Sequence, residues 1–264
     1  MHEEKNNIII SGIILTFNQA NNINNCLKSL VWCNEIIIVD SYSTDQTVEV
    51  VKKYTDKIYY RKFDDDFAKQ REFAISKAKG EWILVLDADE TLPKGAGEII
   101  RKIIKDNNAD AFLFPRRNYI NEKTYLQHGY FYPDWQLRLF RRKKFIRYNR
   151  AVHEYPSVRG NIRKIRTIEI YHNPSKTKYD SFLSFKRFFP YIKIEGKKIA
   201  ETKESSIRLF SLGIRDIIRD FYWSFIRDQG YKDGIAGFRA ALLYSFYRGT
   251  VSFYAIFTRI RRIL

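Results

Sequence analysis

The sequence predicts an α/β fold: a Rossmann-like, mostly parallel sheet with helices on both faces, followed by a C-terminal helical, membrane-facing extension. Three observations predict it. Short apolar runs alternate with helix-spaced segments through the first 115 residues, the pattern of a parallel sheet joined by crossovers. The runs are near-continuous Ile, Val and Leu, as in strands buried on both faces. From about Lys176 the chain turns helical and basic.

Each element has its own signal. Ile8–Leu15 is a β-rich run ending in Thr16, Phe17 and Asn18. Ile23–Trp32 has helical spacing at Ile23, Leu27, Leu30 and Val31. Glu35–Asp40 (EIIIVD) is a short buried strand. Thr44 or Asp45 caps a helix through about Tyr54. Lys57–Arg61 is a third strand, and Phe67–Lys79 a helix with Phe67, Phe73, Ala74 and Ala78 as core contacts. Trp82–Leu86 (WILVL) is a fourth strand, ending in Asp87, Ala88, Asp89 and Glu90. Ala96–Lys105 is a helix and Ala111–Pro115 a strand. Arg116–Arg150 is aromatic and basic, with strand-like pieces such as Gln136–Arg141. The domain reading is one domain over 1–175, in halves 1–115 and 116–175, and a basic amphipathic helical region over 176–264.

In that last region, residues 205–228 place Ile207, Phe210, Ile214, Ile217, Ile218, Phe221 and Phe225 on one side of a helix. Arg208, Arg215 and Arg219 fall on another side, and the segment reads as a packing helix. Residues 234–264 carry an apolar stripe from Ile235 and Phe238 to Ile260 and Leu264, with five arginines and no acid after Asp233. Two readings stand for this stripe: an interfacial helix on lipid, or a face packed on the rest of the protein.

Composition excludes several classes. With 20 Phe and 18 Tyr in 264 residues, the chain has too much to bury for a disordered protein. Six prolines and 12 glycines exclude collagen-like sequence. Cys26 and Cys33 are too few for a disulfide scaffold, and no further Cys/His pair completes a zinc site. The polar start MHEEKNN has no apolar core of a secretory signal, and no stretch reaches the apolar length of a spanning helix.

Charge is asymmetric. Residues 1–115 hold 15 Lys+Arg and 18 Asp+Glu; residues 116–264 hold 32 and 12, a net of +20. The second half should therefore meet something anionic, such as a phosphorylated or lipid-linked glycan or an anionic membrane. No zinc finger or aromatic RNA-binding motif is present, which argues against nucleic acid.

The chemistry concentrates after the strands. Asp87 and Asp89 are two apart in extended chain, so their carboxylates point the same way. Such a pair suits Mg²⁺ or Mn²⁺, which share oxygen ligands with substrate phosphates; a solvated acidic turn is the plainer reading. Asp40 at a strand end can accept from a ribose hydroxyl or base N–H, or simply organise a turn with Ser43, Thr44 and Asp45. Asp134 follows Pro133 among Tyr130, Phe131, Tyr132 and Trp135, where burial would raise its pKa towards that of a general base.

Together, ILTFN (14–18), IVDSYSTDQT (38–47), FAKQREFAISKAKGEWILVLDADE (67–90), PDWQLRLFRR (133–142) and VHE (152–154) resemble family 2 glycosyltransferases of the GT-A fold. The likeness is to bacterial enzymes of the lipopolysaccharide-core β-glucosyltransferase type, and KDGIAGFRAALLYSFY (232–247) is similar to that subgroup. The resemblance implies that Thr16, Phe17, Asn18 and Asp40 line the nucleoside pocket and that Arg71 contacts base or phosphate. It implies that Asp87, with Ala88 beside it, faces ribose and metal, that Asp89 ligates Mn²⁺ or Mg²⁺, and that His153 completes the metal shell. Asp134 would be the catalytic base, with Trp135, Gln136 and Arg138 near acceptor or diphosphate. Glu72 stands where many relatives have Asn, and Gln136 and Arg138 shorten the family's Q-x-x-R-W spacing.

The implied function is inverting, metal-dependent transfer of a sugar, as from a UDP-hexose, to a glycan or lipid-linked acceptor. It would belong to cell-surface polysaccharide or lipopolysaccharide biosynthesis, on a cytoplasmic, peripheral protein at the inner membrane face. Two alternatives stand beside it. One is an inactive scaffold of the same fold on the membrane. The other is a sugar-phosphate nucleotidyltransferase, although Ser11-Gly12 and the following turn supply no Gly-rich phosphate loop.

Overall fold

In the computed structural model, which describes residues 9–106, 108–172 and 185–263, strands and helices alternate from the start. β1 (Ile10–Thr16), α1 (Ile23–Leu30), β2 (Glu35–Asp40), α2 (Thr47–Val51), β3 (Ile58–Tyr60), α3 (Phe67–Lys77) and β4 (Trp82–Asp87) come first. Then follow β5 (Glu90–Thr91), α4 (Ala96–Asp106), β6 (Ala111–Asn118) and β7 (Asp134–Arg141). β8 (Phe145–Asn149) pairs antiparallel with β9 (Tyr155–Val158), apart from the main sheet. β10 (Ile162–Lys164) and β11 (Ile170–His172) complete the strands among the described residues.

The main sheet runs β3-β2-β1-β4-β7-β6-β11-β5, with β10 on β6. β3, β2, β1 and β4 are parallel neighbours; β7 lies antiparallel to β4. Side chains alternate along each strand, so two cores form. Ile10, Ile14, Ile36, Ile38, Leu84 and Leu86 pack with α1 and α4 on one face. Ile13, Ile37, Val39, Ile83 and Val85 pack with α3 on the other. Burial on both faces explains the unbroken apolar runs.

The short second helix is the largest local difference from the sequence reading. α2 ends at Val51 rather than Tyr54, and Asp45 supports its start, accepting from the Thr47 amide at 3.0 Å. The Val-rich sequence TVEVV is a poor helix former. β6 runs past Pro115 to Asn118. Ile8, residues 176–184 and Leu264 lie outside the described residues.

At the amino end of β2, Glu35 is buried and accepts from Ser11 Oγ at 2.5 Å and the Lys79 amide at 2.7 Å, and pairs with Lys57. Burial opposes its charge, but the bonds from Lys57, Ser11 and Lys79 outweigh it and hold the carboxyl down to about 2. A lowered folded-state pKa stabilises above the unfolded value of about 4.3, and that stability is lost as pH falls towards 2. Glu35→Gln should therefore lower stability at pH 7 and flatten its decline between pH 5 and 3. Urea midpoints at the two pH values check this; equal acid sensitivity in both proteins would remove Glu35 as its source.

The chain divides into two compact units. The first comprises residues 1–116 and 135–172, and the second residues 117–134 and 173–264. In the second, α5 (Phe189–Ala200), α6 (Ser206–Phe221), a π-helical turn (Tyr222–Arg227) and α7 (Gly234–Ile263) pack together. Ser205 caps α6, accepting from the Arg208 amide at 3.2 Å. α6 and α7 meet at Gly213 and Gly249, where a Cβ on Gly249 would stand 2.6 Å from the Gly213 carbonyl oxygen. Tyr247 is fully buried, stacks on Phe188 and donates to Glu195 at 3.0 Å.

α6 and the π-helical turn use only part of their apolar stripe for packing: Ile217, Phe221 and Phe225 are half-buried and Phe210 meets Phe253. Ile207 is 85% exposed, Ile218 66%, and Phe210 and Ile214 are also exposed. The buried residues are Leu209, Gly213, Asp216 and Asp220. The tight crossing admits small residues, and the two aspartates are buried because arginines neutralise them: Arg215 and Arg219 on Asp216, Arg219 and Arg248 on Asp220. Of the α7 stripe, Ile235, Phe238, Phe246, Phe257 and Ile260 are exposed as well. Among the described residues, no helix is long and apolar enough to cross a membrane.

Candidate functional site

Strand register sets the first half of the site. Thr16 pairs with Asp40 across β1 and β2, and Leu15 with Asp87 across β1 and β4. The carboxyl ends of three parallel strands thus bring Thr16, Asp40 and Asp87 to one edge, where sheets of this kind bind ligands. Asp40 is fully buried. It accepts from Thr16 Oγ1 at 2.8 Å, Ser43 Oγ at 2.6 Å and the Ser43 amide at 2.7 Å. Asn18 has a left-handed backbone, φ 51°, and its side-chain oxygen takes the Thr44 amide at 2.8 Å. Its own amide donates to Ser43 at 2.9 Å. The two strand-end loops are therefore laced together, and Phe17 is left exposed beside them.

A buried charge network surrounds Asp87. One carboxylate oxygen takes Arg71 Nη2 at 2.6 Å; the other takes Arg138 Nη2 at 2.7 Å. Arg71 is carried inward by α3 and also pairs through Nε with Glu154 at 2.7 Å. Arg138, on β7, reaches Glu90 at 2.7 Å, and Arg116 reaches the same oxygen at 2.8 Å. Glu90 is fully buried, and its second oxygen accepts the Asp87 amide at 3.0 Å. Burial opposes ionisation of Asp87, yet the charges of Arg138 and Arg71 prevail and hold its carboxyl well below the usual range. Arg71 Nη1 and Arg138 Nε are buried donors with no partner, so the network keeps unspent hydrogen-bonding capacity towards an anion.

Asp89 stands outside this clamp. Its Oδ2 lies 3.4 Å from Nε2 of His172 on β11, the strand that pairs with β5. Ala88 between the two aspartates is buried. His153, the histidine singled out in the sequence, is exposed with φ 52°; the side chain of that VHE segment turned to the network is Glu154. Among the described residues, no three His, Cys, Asp or Glu side chains gather as a metal group. Asp89 and His172 fit a divalent cation that keeps waters and shares substrate phosphate oxygens, a demand that few protein ligands satisfy.

Cys26 donates weakly to the Asp87 carbonyl at 3.4 Å. Burial, then the carboxylates of Glu90 and Asp87, push its thiol well up; burial pushes Cys33 up to about 12. Both thiols are free and protonated at neutral pH. Glu72, the departure noted in the sequence, accepts the Tyr148 amide at 2.7 Å and so ties α3 to β8.

Asp134, the first residue of β7, ends the 117–134 segment of the second unit, most of which is a loop between β6 and β7. Buried Asn118 donates to it at 3.1 Å and to the Phe131 carbonyl at 3.0 Å. The loop is held at several points. Asp233 accepts the amides of Gln127 at 2.8 Å and His128 at 2.9 Å, and pairs with the His128 ring at 2.8 Å. Gly129, at φ +69°, donates to the Asp228 carbonyl at 2.8 Å; a Cβ there would stand 2.8 Å from the Ser224 carbonyl. Tyr130 and Phe131 set their edges on Tyr244. In the first unit, half-buried Trp135 carries Lys164 and Arg166 over its ring at 5.1 and 5.2 Å, and Gln136 follows on β7.

Sequence reasoning missed Glu90, Arg116, Glu154, His172, Asn118 and Asp233. Glu90 closes the DADE segment and Glu154 the VHE segment, so both sat in motifs already noted. His172, Asn118 and Asp233 gave no local signal.

Comparison with known proteins gives the family. The chain is 33% identical to the SPbeta prophage-derived glycosyltransferase SunS of Bacillus subtilis over 183 residues, 65% of this chain and 41% of SunS. It is 31% identical over 175 residues to the lipopolysaccharide core biosynthesis glycosyltransferase LpsC of Rhizobium meliloti, 62% of each. The matches thus span less than two thirds of these relatives. The crystal structure of S. aureus TarS 1-349 in complex with UDP superposes with a TM-score of 0.50 at 15% identity, covering 97% of this chain and 92% of that one; the likeness shows a shared GT-A-like fold. The model of the family described as glycosyl transferase family 2 matches residues 11–167, well over half of the 264 residues, and the chain belongs to that family.

Proposed function

We propose that this protein is a divalent-cation-dependent, inverting glycosyltransferase. It moves a sugar from a nucleotide diphosphate donor, a UDP-hexose, to a glycan or lipid-linked acceptor in bacterial cell-surface polysaccharide or lipopolysaccharide assembly. It works as a peripheral protein at the inner membrane face. The observation that carries the reading is the division between the two aspartates after β4: Asp87 clamped by two buried arginines, Asp89 outside the clamp beside His172. The UDP in the TarS complex and the lipopolysaccharide role in the name of LpsC support donor and pathway.

In this reading Thr16, Phe17, Asn18, Asp40 and Ala88 line the nucleoside side. Arg71 and Arg138, with their unspent donors, face the diphosphate, and Asp87 fixes both guanidinium groups. Asp89 and His172 hold Mn²⁺ or Mg²⁺, His172 taking the place given to His153; the bound cation supplies positive charge to the leaving diphosphate. Asp134 takes the proton of the attacking acceptor hydroxyl while Asn118 orients its carboxylate. Trp135 and Gln136 lie on the acceptor side. Inversion needs no covalent intermediate, which agrees with two protonated thiols.

Thermal shifts with UDP, GDP, CDP, ADP and dTDP, each with and without Mn²⁺, test the donor site. A ligand at about 100 times its Kd stabilises by roughly 2.7 kcal/mol. The expected result is a shift with UDP that needs Mn²⁺, vanishes in Asp89→Ala and His172→Ala, and survives in His153→Ala. Folded protein that responds to none of the five would overturn the reading in favour of an inactive scaffold.

A further inference from the structure

We infer that the outward ridge of α6 and the π-helical turn is the surface that docks on an anionic lipid bilayer. The ridge consists of Ile207, Phe210, Ile214, Ile218, Tyr222 and Ile226, all exposed and spaced three or four residues apart. This spacing keeps them on one side of the helix. The ridge spreads onto α7 through Phe238, itself exposed, whose ring meets Phe221 and Phe225.

Apolar exposure alone does not name its occupant; the charges do. From Ser205 onward the sequence holds ten Lys and Arg against four Asp and Glu. Three of those acids are turned inward, the side chains of Asp216, Asp220 and Asp233 being 12%, 5% and 10% exposed. Arg208 and Arg215 on α6 pair with Glu204 and Asp216 yet remain more than half exposed. A water-facing helix points acids out and apolar groups in; α6 does the reverse and leaves cations beside the apolar ridge. That pattern complements a bilayer, with acyl chains for the ridge and anionic headgroups for the arginines. Trp223 fits the same plane. Its exposed ring lies beneath Arg219 at 5.4 Å and Arg227 at 4.5 Å, an amphipathic group at the level of lipid headgroups.

The inference shares with the proposed function only the choice of a membrane; it stands or falls apart from sugar transfer. The test is co-sedimentation of the full chain with phosphatidylcholine vesicles, with and without phosphatidylglycerol. Wild type should bind the anionic vesicles more tightly, and salt should weaken that binding. Ile214→Glu and Ile218→Glu should each reduce partition roughly tenfold or more. Their melting temperature and UDP-dependent shift should be unchanged, which separates loss of docking from loss of the donor site. Because a charged substitution can unfold a helix, quenching of Trp223 by brominated lipid in otherwise wild-type protein is the second measurement, with Trp223→Phe as its blank. Undiminished vesicle binding in both Ile variants would overturn the proposal. So would a wild type that ignores vesicles, or one that forms a dimer which the same substitutions dissociate, since a second copy would then cover the ridge.

Discussion

Asp134→Asn should nearly abolish sugar transfer while leaving the donor site intact. A carboxylate that removes the acceptor proton contributes about 10²- to 10⁴-fold, and an amide of the same shape cannot accept that proton. Asn118 donates to Asp134, and the amide oxygen of the variant can still accept that bond, so the loop should keep its form. Turnover with a nucleotide sugar, measured beside the UDP-dependent thermal shift, separates the two effects. Transfer within a few-fold of wild type would move the base elsewhere. Asn118→Ala should give a partial loss, because it frees the carboxylate to rotate without removing it.

Arg138→Met should be among the most destabilising single changes in the protein. Arg138 is buried and neutralises both Asp87 and Glu90. Burial works against its charge, but the carboxylates of Asp87 and Glu90 raise its pKa further. Breaking a buried ion pair costs about 3–5 kcal/mol where a charge is left wholly uncompensated; Arg116 stays on Glu90 and Arg71 on Asp87, so a loss towards the lower end of that range is expected. Glu90 is the more exposed to this loss energetically, since water does not reach it. Urea unfolding of Arg138→Met should show the drop, and Glu90→Gln in the same chain should return part of it. Arg141 gives the contrast: its partner Glu81 is half exposed, and its removal should cost about 1 kcal/mol or less. A loss for Arg138→Met no larger than for Arg141→Ala would mean that the network is not what holds this edge together.

The sheet was legible because its strands carry their burial in their composition. EIIIVD became β2 at the same bounds, Glu35–Asp40, since six buried residues between two polar turns leave little choice. The Asp87–Asp89 spacing marked the carboxyl end of β4. The neighbour of Asp89 was not legible: His172 reaches it only because β11 pairs with β5, a long-range pairing with no local signature. The same holds for Asn118 and Asp233, whose roles come from where a loop folds back. α6 shows a different limit. Its periodicity marked an apolar side correctly, but period alone does not say whether that side faces core or solvent. The deciding facts were the tight approach at Gly213 and Gly249 and the arginine partners of Asp216 and Asp220, all of them tertiary.

The grip of Asp233, Ser224 and Tyr244 on the loop over 127–131 changes what the C-terminal residues are for. A tail that served only as an anchor could be trimmed to make a freely diffusing enzyme with the same turnover. Here the trimmed chain would lose the frame on which Asp134 is carried. Under the role proposed for Asp134, shortening the tail would be equivalent to damaging the base, and the defect would persist with any acceptor offered in free solution.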